Sequence, residues 1–288
     1  MGSGEHRLKH LIVTADDFGR SLAVNEAVEE AHTTGILTAA SLMVGANAAS
    51  DAVDRAKRHP ELGVGLHLVV VCGKAVLPPA EIPDLVDANG EFDTNLVRAG
   101  FRYFFLPKVR RQLAREIRAQ FEAFRTSGLE LDHVNAHNHL HLHPTILGLI
   151  LSIGRDYGLC AVRVPAEPVE IPGATPLRVP GRIGNAFLGI WLGLMRKRLR
   201  GADVRTNDCV LGIRDSGNMV RGRMLALLQE LPSGVTEIFS HPARGAWDGV
   251  EAAAAQYRFE EEFQALVDPA VKSAVTASGA TLMTFKDI

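Results

Sequence analysis

The chain has 288 residues, of which 47% are hydrophobic and 22% are charged. This length is near that of one (β/α) barrel and the apolar content suits one large core, so we expect a single domain over residues 1–288, with residues 1–8 as a tail. A formal net charge of -2 excludes the general attraction for nucleic acid that a basic domain has. Three widely spaced cysteines exclude a disulfide framework or a zinc ribbon and favour a cytoplasmic setting.

Short β-like runs alternate with longer helical runs, a pattern typical of α/β folds with a parallel sheet. The first helix is predicted after Ser21, a suitable N-cap, because apolar residues recur at helical spacing until Gly35. The predicted strands are His10–Ala15, Leu37–Val44, Gly63–Leu68, Asp132–Ala136, Ala161–Val164, Val235–Phe239 and Thr281–Phe285. The further predicted helices are Ala46–Arg58, Lys108–Ser127, Pro144–Tyr157, Gly184–Arg200, Met219–Leu231 and Glu260–Ser278. Seven strands with interleaved helices predict a distorted (β/α) barrel.

Two stretches interrupt this alternation. Gly73–Leu106 is rich in Pro, Gly and Asp, and Pro165–Arg182 contains five prolines. Long loops inside a compact domain usually form lids or binding loops, and linker-like padding is the alternative.

Polar residues follow several predicted strands, at the barrel end where reacting groups lie in such folds. Asp16 and Asp17 end the first strand, and His67 ends the third. Two adjacent buried carboxylates are costly unless a cation or hydrogen-bond donors compensate them. Because successive strand residues point to opposite sides, one acid can bind a metal while the other acts as a base. A helix N-terminus that favours acids is the alternative interpretation.

The end of the fourth predicted strand carries four histidines between His137 and His143. Imidazole is a common metal ligand near neutral pH, and His137 and His141 have the spacing that places two ligands on one helical face. Two histidines with one carboxylate leave coordination positions open for water and substrate, as hydrolytic metals require. The same set also serves non-haem iron oxygenases, so the ligands alone leave the reaction class open.

Five motifs together resemble the YdjC-like carbohydrate deacetylases, and within that family the hopanoid-biosynthesis branch called HpnK. The resemblance runs from about Leu11 to the C-terminus. The motifs are Thr14-Ala15-Asp16-Asp17-Phe18-Gly19, Gly65-Leu66-His67-Leu68, His137-x-x-x-His141, Arg163-x-Pro165-x-Glu167 and Ser240-His241-Pro242. One such motif is a weak signal, whereas five in this order are specific.

The resemblance implies a NodB/YdjC deacetylase-like distorted barrel that hydrolyses N-acetyl groups on amino sugars with one divalent cation, Zn²⁺ or Mg²⁺. It implies Asp17, His67 and His137 as the metal ligands, Asp16 as the general base and His241 as the general acid. In the implied mechanism the cation polarises the acetamide carbonyl and activates water, Asp16 takes the proton, and His241 protonates the leaving amine.

One departure from the family pattern concerns Asn135, which stands where many relatives have aspartate, so the orienting role of that aspartate is in doubt. His141, Arg163 and Glu167 are candidate substrate-binding residues. For Arg163 and Glu167, support of the metal ligands and a surface ion pair are the alternatives. Whether His139, His141 or His143 also binds the metal stays open.

The apolar run Ala186–Met195 is followed at once by the basic cluster Arg196–Arg200, and Phe101–Phe105 also precedes basic residues. The apolar run is too short to span a bilayer. Such segments fit either a bilayer interface, as a peripheral contact, or core helices with cations at their C-termini. The resemblance to HpnK implies an N-acetylglucosaminyl hopanoid as substrate, with Phe187 and Trp191 beside its hydrocarbon.

Two other functions remain as alternatives to a hopanoid-sugar deacetylase. One is a deacetylase of soluble chito-oligosaccharides such as chitobiose, and the other is a non-catalytic, metal-stabilised lipid-binding module. The retained Asp16 and His241 argue against the second. Assembly as a homodimer is left open by the sequence.

Overall fold

The parallel sheet at the centre of the molecule is seen in a computed structural model, which describes residues 8–168, 181–245, 247, 250 and 252–288. The strands are β1 Lys9–Phe18, β2 Ala39–Leu42, β3 Gly63–Leu68, β4 Val134–Ala136, β5 Cys209–Leu211, β6 Gly234–Ser240 and β7 Thr281–Leu282. Their order is β4-β3-β2-β1-β6-β5, and β7 pairs with the start of β1. All strand pairs are parallel, which confirms the predicted distorted (β/α) barrel.

Helices cover the outside of this curled sheet. They are α1 Leu22–Thr34, α2 Ala49–Arg58, α3 Leu96–Phe105, α4 Pro107–Ser127, α5 Pro144–Gly154, α6 Gly181–Arg200, α7 Arg221–Gln229, α8 Phe259–Val267 and α9 Pro269–Ala277. The Ser21 hydroxyl caps α1 by accepting from the Val24 N–H at 3.2 Å, as predicted. None of the helices in the described part of the chain is long and apolar enough to cross a membrane.

The predicted fifth strand was wrong. Ala161 and Val162 make single parallel bridges, to Arg205 and Val134, and the fifth strand of the sheet is β5, which the sequence pattern did not predict. The backbone of Val164 is instead held by the Asn207 side chain, which donates to its carbonyl at 2.9 Å and accepts from its N–H at 2.8 Å. Between β4 and β5, the two ends of the curled sheet, the described residues thus have single bridges and side-chain hydrogen bonds in place of a strand ladder.

Two helix predictions also needed correction. The predicted helix Glu260–Ser278 is divided into α8 and α9, because Asp268 caps a new helix that begins at Pro269. The interruption Gly73–Leu106 contains the unpredicted helix α3. The other interruption, Pro165–Arg182, lies mostly outside the described residues.

Candidate active site

The end of β1 departs from regular strand geometry. The pairing register with β2 shifts between Ala15 and Phe18, and Asp17 has a φ of 64°, in the left-handed region. Aspartate tolerates this conformation better than bulky residues do, and such bulges redirect side chains at functional sites. As a result, both adjacent carboxylates approach His67: Asp17 Oδ1 lies 3.3 Å from Nε2 and Asp16 Oδ1 lies 4.0 Å from Nδ1.

Asp17, His67 and His137 meet at the carboxyl ends of β1, β3 and β4. Asp17 Oδ1 lies 3.2 Å from His137 Nδ1 as well as close to His67, and one ligand atom from each residue falls within 4.8 Å of the others. All three residues are buried. The structure therefore brings together the three predicted metal ligands, which lie far apart in the sequence.

Asn135 determines which nitrogen of His67 is available to a metal. Its amide nitrogen donates to Asp16 Oδ1 at 3.1 Å and to Ser41 Oγ at 2.8 Å. Since a carboxylate can only accept, the amide oxygen must face His67 Nδ1, at 2.6 Å, and that nitrogen must carry the proton. The lone pair of His67 Nε2 then faces Asp17, so the Asn135 side chain orients this imidazole.

The donor set fits a divalent cation. Arg20 donates to Asp17 Oδ2 at 2.8 Å, whereas the buried Oδ1 accepts no hydrogen bond within the described residues. Burial by itself would raise the pKa of Asp17, but the positive charges of His137 and Arg20 hold it well below its usual value. An ionised carboxylate oxygen that accepts no hydrogen bond and lies beside two imidazoles has the surroundings typical of a metal ligand.

Asp16 has a very different environment. Its carboxylate accepts from the Arg163 guanidinium at 2.6 Å and 3.0 Å, and Arg163 also donates to Glu237 at 2.6 Å. Glu237 in turn accepts from the Thr14 hydroxyl at 2.8 Å. Burial would raise the pKa of Asp16, yet the positive charge of Arg163 holds it far below its usual value. Asp16 is thus an ionised carboxylate held in one orientation next to the metal ligands.

The opposite wall of the site comes from β6 and α8. The backbone N–H of His241 donates to Glu262 Oε2 at 2.5 Å, and the His241 ring lies 5.2 Å from the ring of Tyr257. Burial lowers the pKa of His241 and raises that of Glu262 to about 7. The buried Glu262 also accepts from the Met219 N–H at 2.8 Å, so it ties α8 to the loop before α7.

A cleft of about 240 Å³ joins these groups. Asp16, Asp17, His67, His137 and His241 all face it. The other lining residues are Arg20, Ala136, Asn138, His139, Ile213, Ser216, Phe239, Ala254, Tyr257 and Phe259. Burial lowers the pKa of His139 to about 3, so its ring is neutral at physiological pH.

The candidate substrate-binding residues lie elsewhere. Arg163 is fully buried under Asp16, which excludes a surface ion pair and makes it a support for that carboxylate. Glu167 organises the loop after β5, where it accepts from the N–H groups of Gly212 and Arg214. His141 is fully buried, and neither ring nitrogen has a hydrogen-bond partner among the described residues.

The two aromatic candidates lie on α6. Trp191 is half-buried and donates from Nε1 to the Leu142 carbonyl at 2.8 Å, away from the cleft lining. The side chain of Phe187 lies outside the described residues. Contact of either residue with a substrate therefore remains a prediction.

Two residues of the site were missed by sequence reasoning. Glu237 completes the Arg163 cluster, and its signal was a charged residue inside an apolar strand, which is costly unless paired. Glu262 occupies an equivalent buried place on α8, but it follows two other glutamates, Glu260 and Glu261, and nothing in the local sequence distinguishes it.

The fold and the cleft place a candidate metal-binding triad at the mouth of a parallel barrel, and comparison with known proteins identifies the family. The model of the YdjC-like protein family matches residues 10–277, so the chain belongs to that family. It is 33% identical to the carbohydrate deacetylase of Geobacillus stearothermophilus over 97% of this chain and 98% of that protein. The carbohydrate deacetylase of Brevibacillus brevis is 43% identical, over 54% of this chain and 58% of its own length.

A solved structure shares the whole fold. A protein of Enterococcus faecalis V583, described as a candidate cellobiose-phosphate cleavage protein, superposes with a TM-score of 0.74 and 27% identity. The match covers 97% of this chain and 98% of that one. The barrel described above is therefore that of a solved relative along nearly its full length.

Proposed function

We propose that this protein is a metal-dependent carbohydrate N-deacetylase that hydrolyses the acetamide of an amino sugar. The observation that carries the proposal is the convergence of Asp17, His67 and His137 on one point of the cleft, with a buried carboxylate oxygen that accepts no hydrogen bond from the residues the structure describes. The relatives named carbohydrate deacetylases, including one matched over nearly the whole chain, support the reaction class.

A divalent cation bound by these three residues supplies Lewis acidity toward the acetamide carbonyl and lowers the pKa of water. Asp16 takes the proton from the attacking water, because Arg163 keeps its carboxylate ionised and Asn135 and Arg163 hold it in place. His241 lines the same cleft and donates a proton to the leaving amine. Bond cleavage at the carbonyl then yields the free amino sugar and acetate.

For the substrate we propose an N-acetylglucosaminyl hopanoid, an amino sugar attached to a triterpenoid lipid. The five motifs that resemble the hopanoid branch of the family support this choice. Apolar side chains exposed on α3 and α6 give a second reason, since a lipid-linked substrate must leave a bilayer or reach the enzyme at its surface.

The test compares two substrates side by side. Purified protein loaded with Zn²⁺ or Mg²⁺ is incubated with an N-acetylglucosaminyl hopanoid or with chitobiose, and mass spectrometry follows the loss of one acetyl group. We expect deacetylation of the hopanoid glycoside and little turnover of chitobiose. Preference for chitobiose refutes the lipid substrate but retains the enzyme class, whereas bound metal without acetate release from either substrate refutes the deacetylase.

A further inference from the structure

An apolar surface stands out on α3. Its residues at helical spacing, Val97, Phe101, Phe104 and Phe105, point into solvent, with Phe101 61% and Phe105 58% exposed. The rings of Phe101 and Phe105 lie 4.5 Å apart, so they form one patch rather than scattered residues. The opposite side of the helix is buried through Ala99 and Tyr103. Contiguous exposed aromatic side chains are uncommon on monomers and mark binding surfaces.

A second apolar surface lies on α6. Ile190 is 65% and Leu194 is 53% exposed, while Leu192 and Met195 on the other side of the helix are buried in the core. The helix is thus neither wholly internal nor an ordinary amphipathic surface helix. The interpretation of this segment as a core helix explains the buried face but not the exposed apolar face.

The two surfaces flank the same point of the molecule. On one side the Phe104 ring lies 6.0 Å from the ring of His143, and on the other Trp191 donates to the carbonyl of Leu142. These consecutive residues end the 3-10 segment that begins with the metal ligand His137. The apolar surfaces therefore lie on both sides of the segment that leads to the cleft.

Positive charge accompanies both surfaces. Residues 96–115 contain six basic and no acidic residues, of which Arg98, Lys108 and Arg115 pair with acids outside that stretch. Residues 181–202 contain five basic and no acidic residues, in a chain whose net charge is -2. Arg110, Arg111, Lys197 and Arg198 are exposed, and none of them has an ion pair in the part of the chain that the structure describes. An apolar surface flanked by unpaired cations is complementary to acyl chains beneath anionic headgroups.

We propose that α3 and α6 form a docking surface, defined by residues 96–111 and 188–200, for the face of an anionic lipid bilayer. A second copy of the chain is a poorer occupant, because a two-fold contact would bring the same cations of both subunits together. Docking through this surface places the segment 137–143, and with it the mouth of the cleft, near the lipid. Binding to the bilayer is independent of the deacetylation chemistry and can be measured without it.

The experiment is co-sedimentation of the full chain with vesicles of phosphatidylcholine alone or mixed with an equal amount of phosphatidylglycerol. We expect the protein to bind the anionic vesicles, with binding that weakens as salt is added. The double substitution Phe101→Ser with Phe105→Ser should lower the partition coefficient about tenfold or more. Arg110→Glu with Arg111→Glu should lower it by a similar factor on anionic vesicles only.

Matched controls change equivalent residues at the amino-terminal end of the barrel. Leu282→Ser removes an exposed apolar side chain from β7, and Lys57→Glu with Arg155→Glu makes the same charge change at the ends of α2 and α5. All variants should keep the wild-type melting temperature and circular dichroism spectrum, which shows that they fold. Wild-type protein that binds neither vesicle, or controls that weaken binding as strongly, would overturn the proposal. A lipid-free dimer dissociated by the Phe101 and Phe105 changes would assign the surface to self-association instead.

Discussion

Asp16 and Asp17 are neighbours in the chain, yet the hydrogen-bond donors around their carboxylates differ. Asp16 is enclosed by donors: Arg163 and Asn135 bind both of its oxygens. Asp17 has one oxygen bound by Arg20, and the other faces two imidazoles and accepts no hydrogen bond in the described part of the chain. A buried carboxylate whose oxygens are satisfied is fixed in place, whereas one with a bare oxygen is ready to bind a cation.

The difference arises from the bulge at the end of β1. A regular strand would send the two side chains to opposite faces, but the left-handed conformation of Asp17 turns both toward His67. One strand end thereby supplies both the proposed metal ligand and the separate carboxylate proposed for proton transfer. The contrast between the two acids can be tested directly.

The largest effect is expected from exchanging each acid for its amide. Asp17→Asn should lose bound metal and reduce kcat/KM by about a thousandfold or more, because an amide cannot supply the ionised ligand. Asp16→Asn should reduce kcat by about 10²- to 10⁴-fold while metal content stays near the wild-type level. Elemental analysis and acetate release distinguish the two. Full activity of Asp16→Asn would remove it as the base, and normal metal content in Asp17→Asn would remove it as a ligand.

A smaller effect is expected from substitution of Asn135, which contacts Asp16 and also His67, the neighbour of Asp17. Asn135→Ala should weaken metal affinity by about 10- to 100-fold, because His67 loses the partner that directs Nε2 toward Asp17. Asn135→Asp retains an acceptor for His67 and should weaken metal affinity less than alanine does. Competition with a chelator measures both constants. Equal affinities in the two variants would show that the orienting bond does not matter.

The smallest effect concerns the pH dependence of stability through Glu262. Burial raises its pKa to about 7 in the folded protein, above the ordinary value of 4.5. The native state therefore binds a proton that the unfolded chain releases, and the stability gained is lost as pH rises from about 5 to about 8. Relative to Glu262→Gln, the wild type should lose up to about 3 kcal/mol over this range in denaturant titrations. The exposed neighbour Glu261→Gln is the control and should follow the wild-type curve; a pH-independent difference between wild type and Glu262→Gln would contradict the prediction.

Local patterns in the sequence were sufficient for most of the fold. Alternation of β-like and helical runs predicted six of the seven strands, since apolar periodicity and caps such as Ser21 act within a few residues. The sequence did not predict β5 and α3, because these two elements are determined by the residues that they pack against. Cys209–Leu211 is only three residues long, and α3 exposes the phenylalanines that would otherwise mark a core helix.

For the site, the sequence by itself determined which residue types end each strand and, through the family motifs, the identity of Asp17, His67 and His137. Only the tertiary structure decided how those groups are oriented and supported. The Asn135 amide, the Arg163–Glu237 pair and Glu262 act across separations of up to 223 residues, as between Thr14 and Glu237. Hydrogen bonds between distant strands depend on the curvature of the sheet, because no local pattern records which buried charges will face one another once the sheet curls.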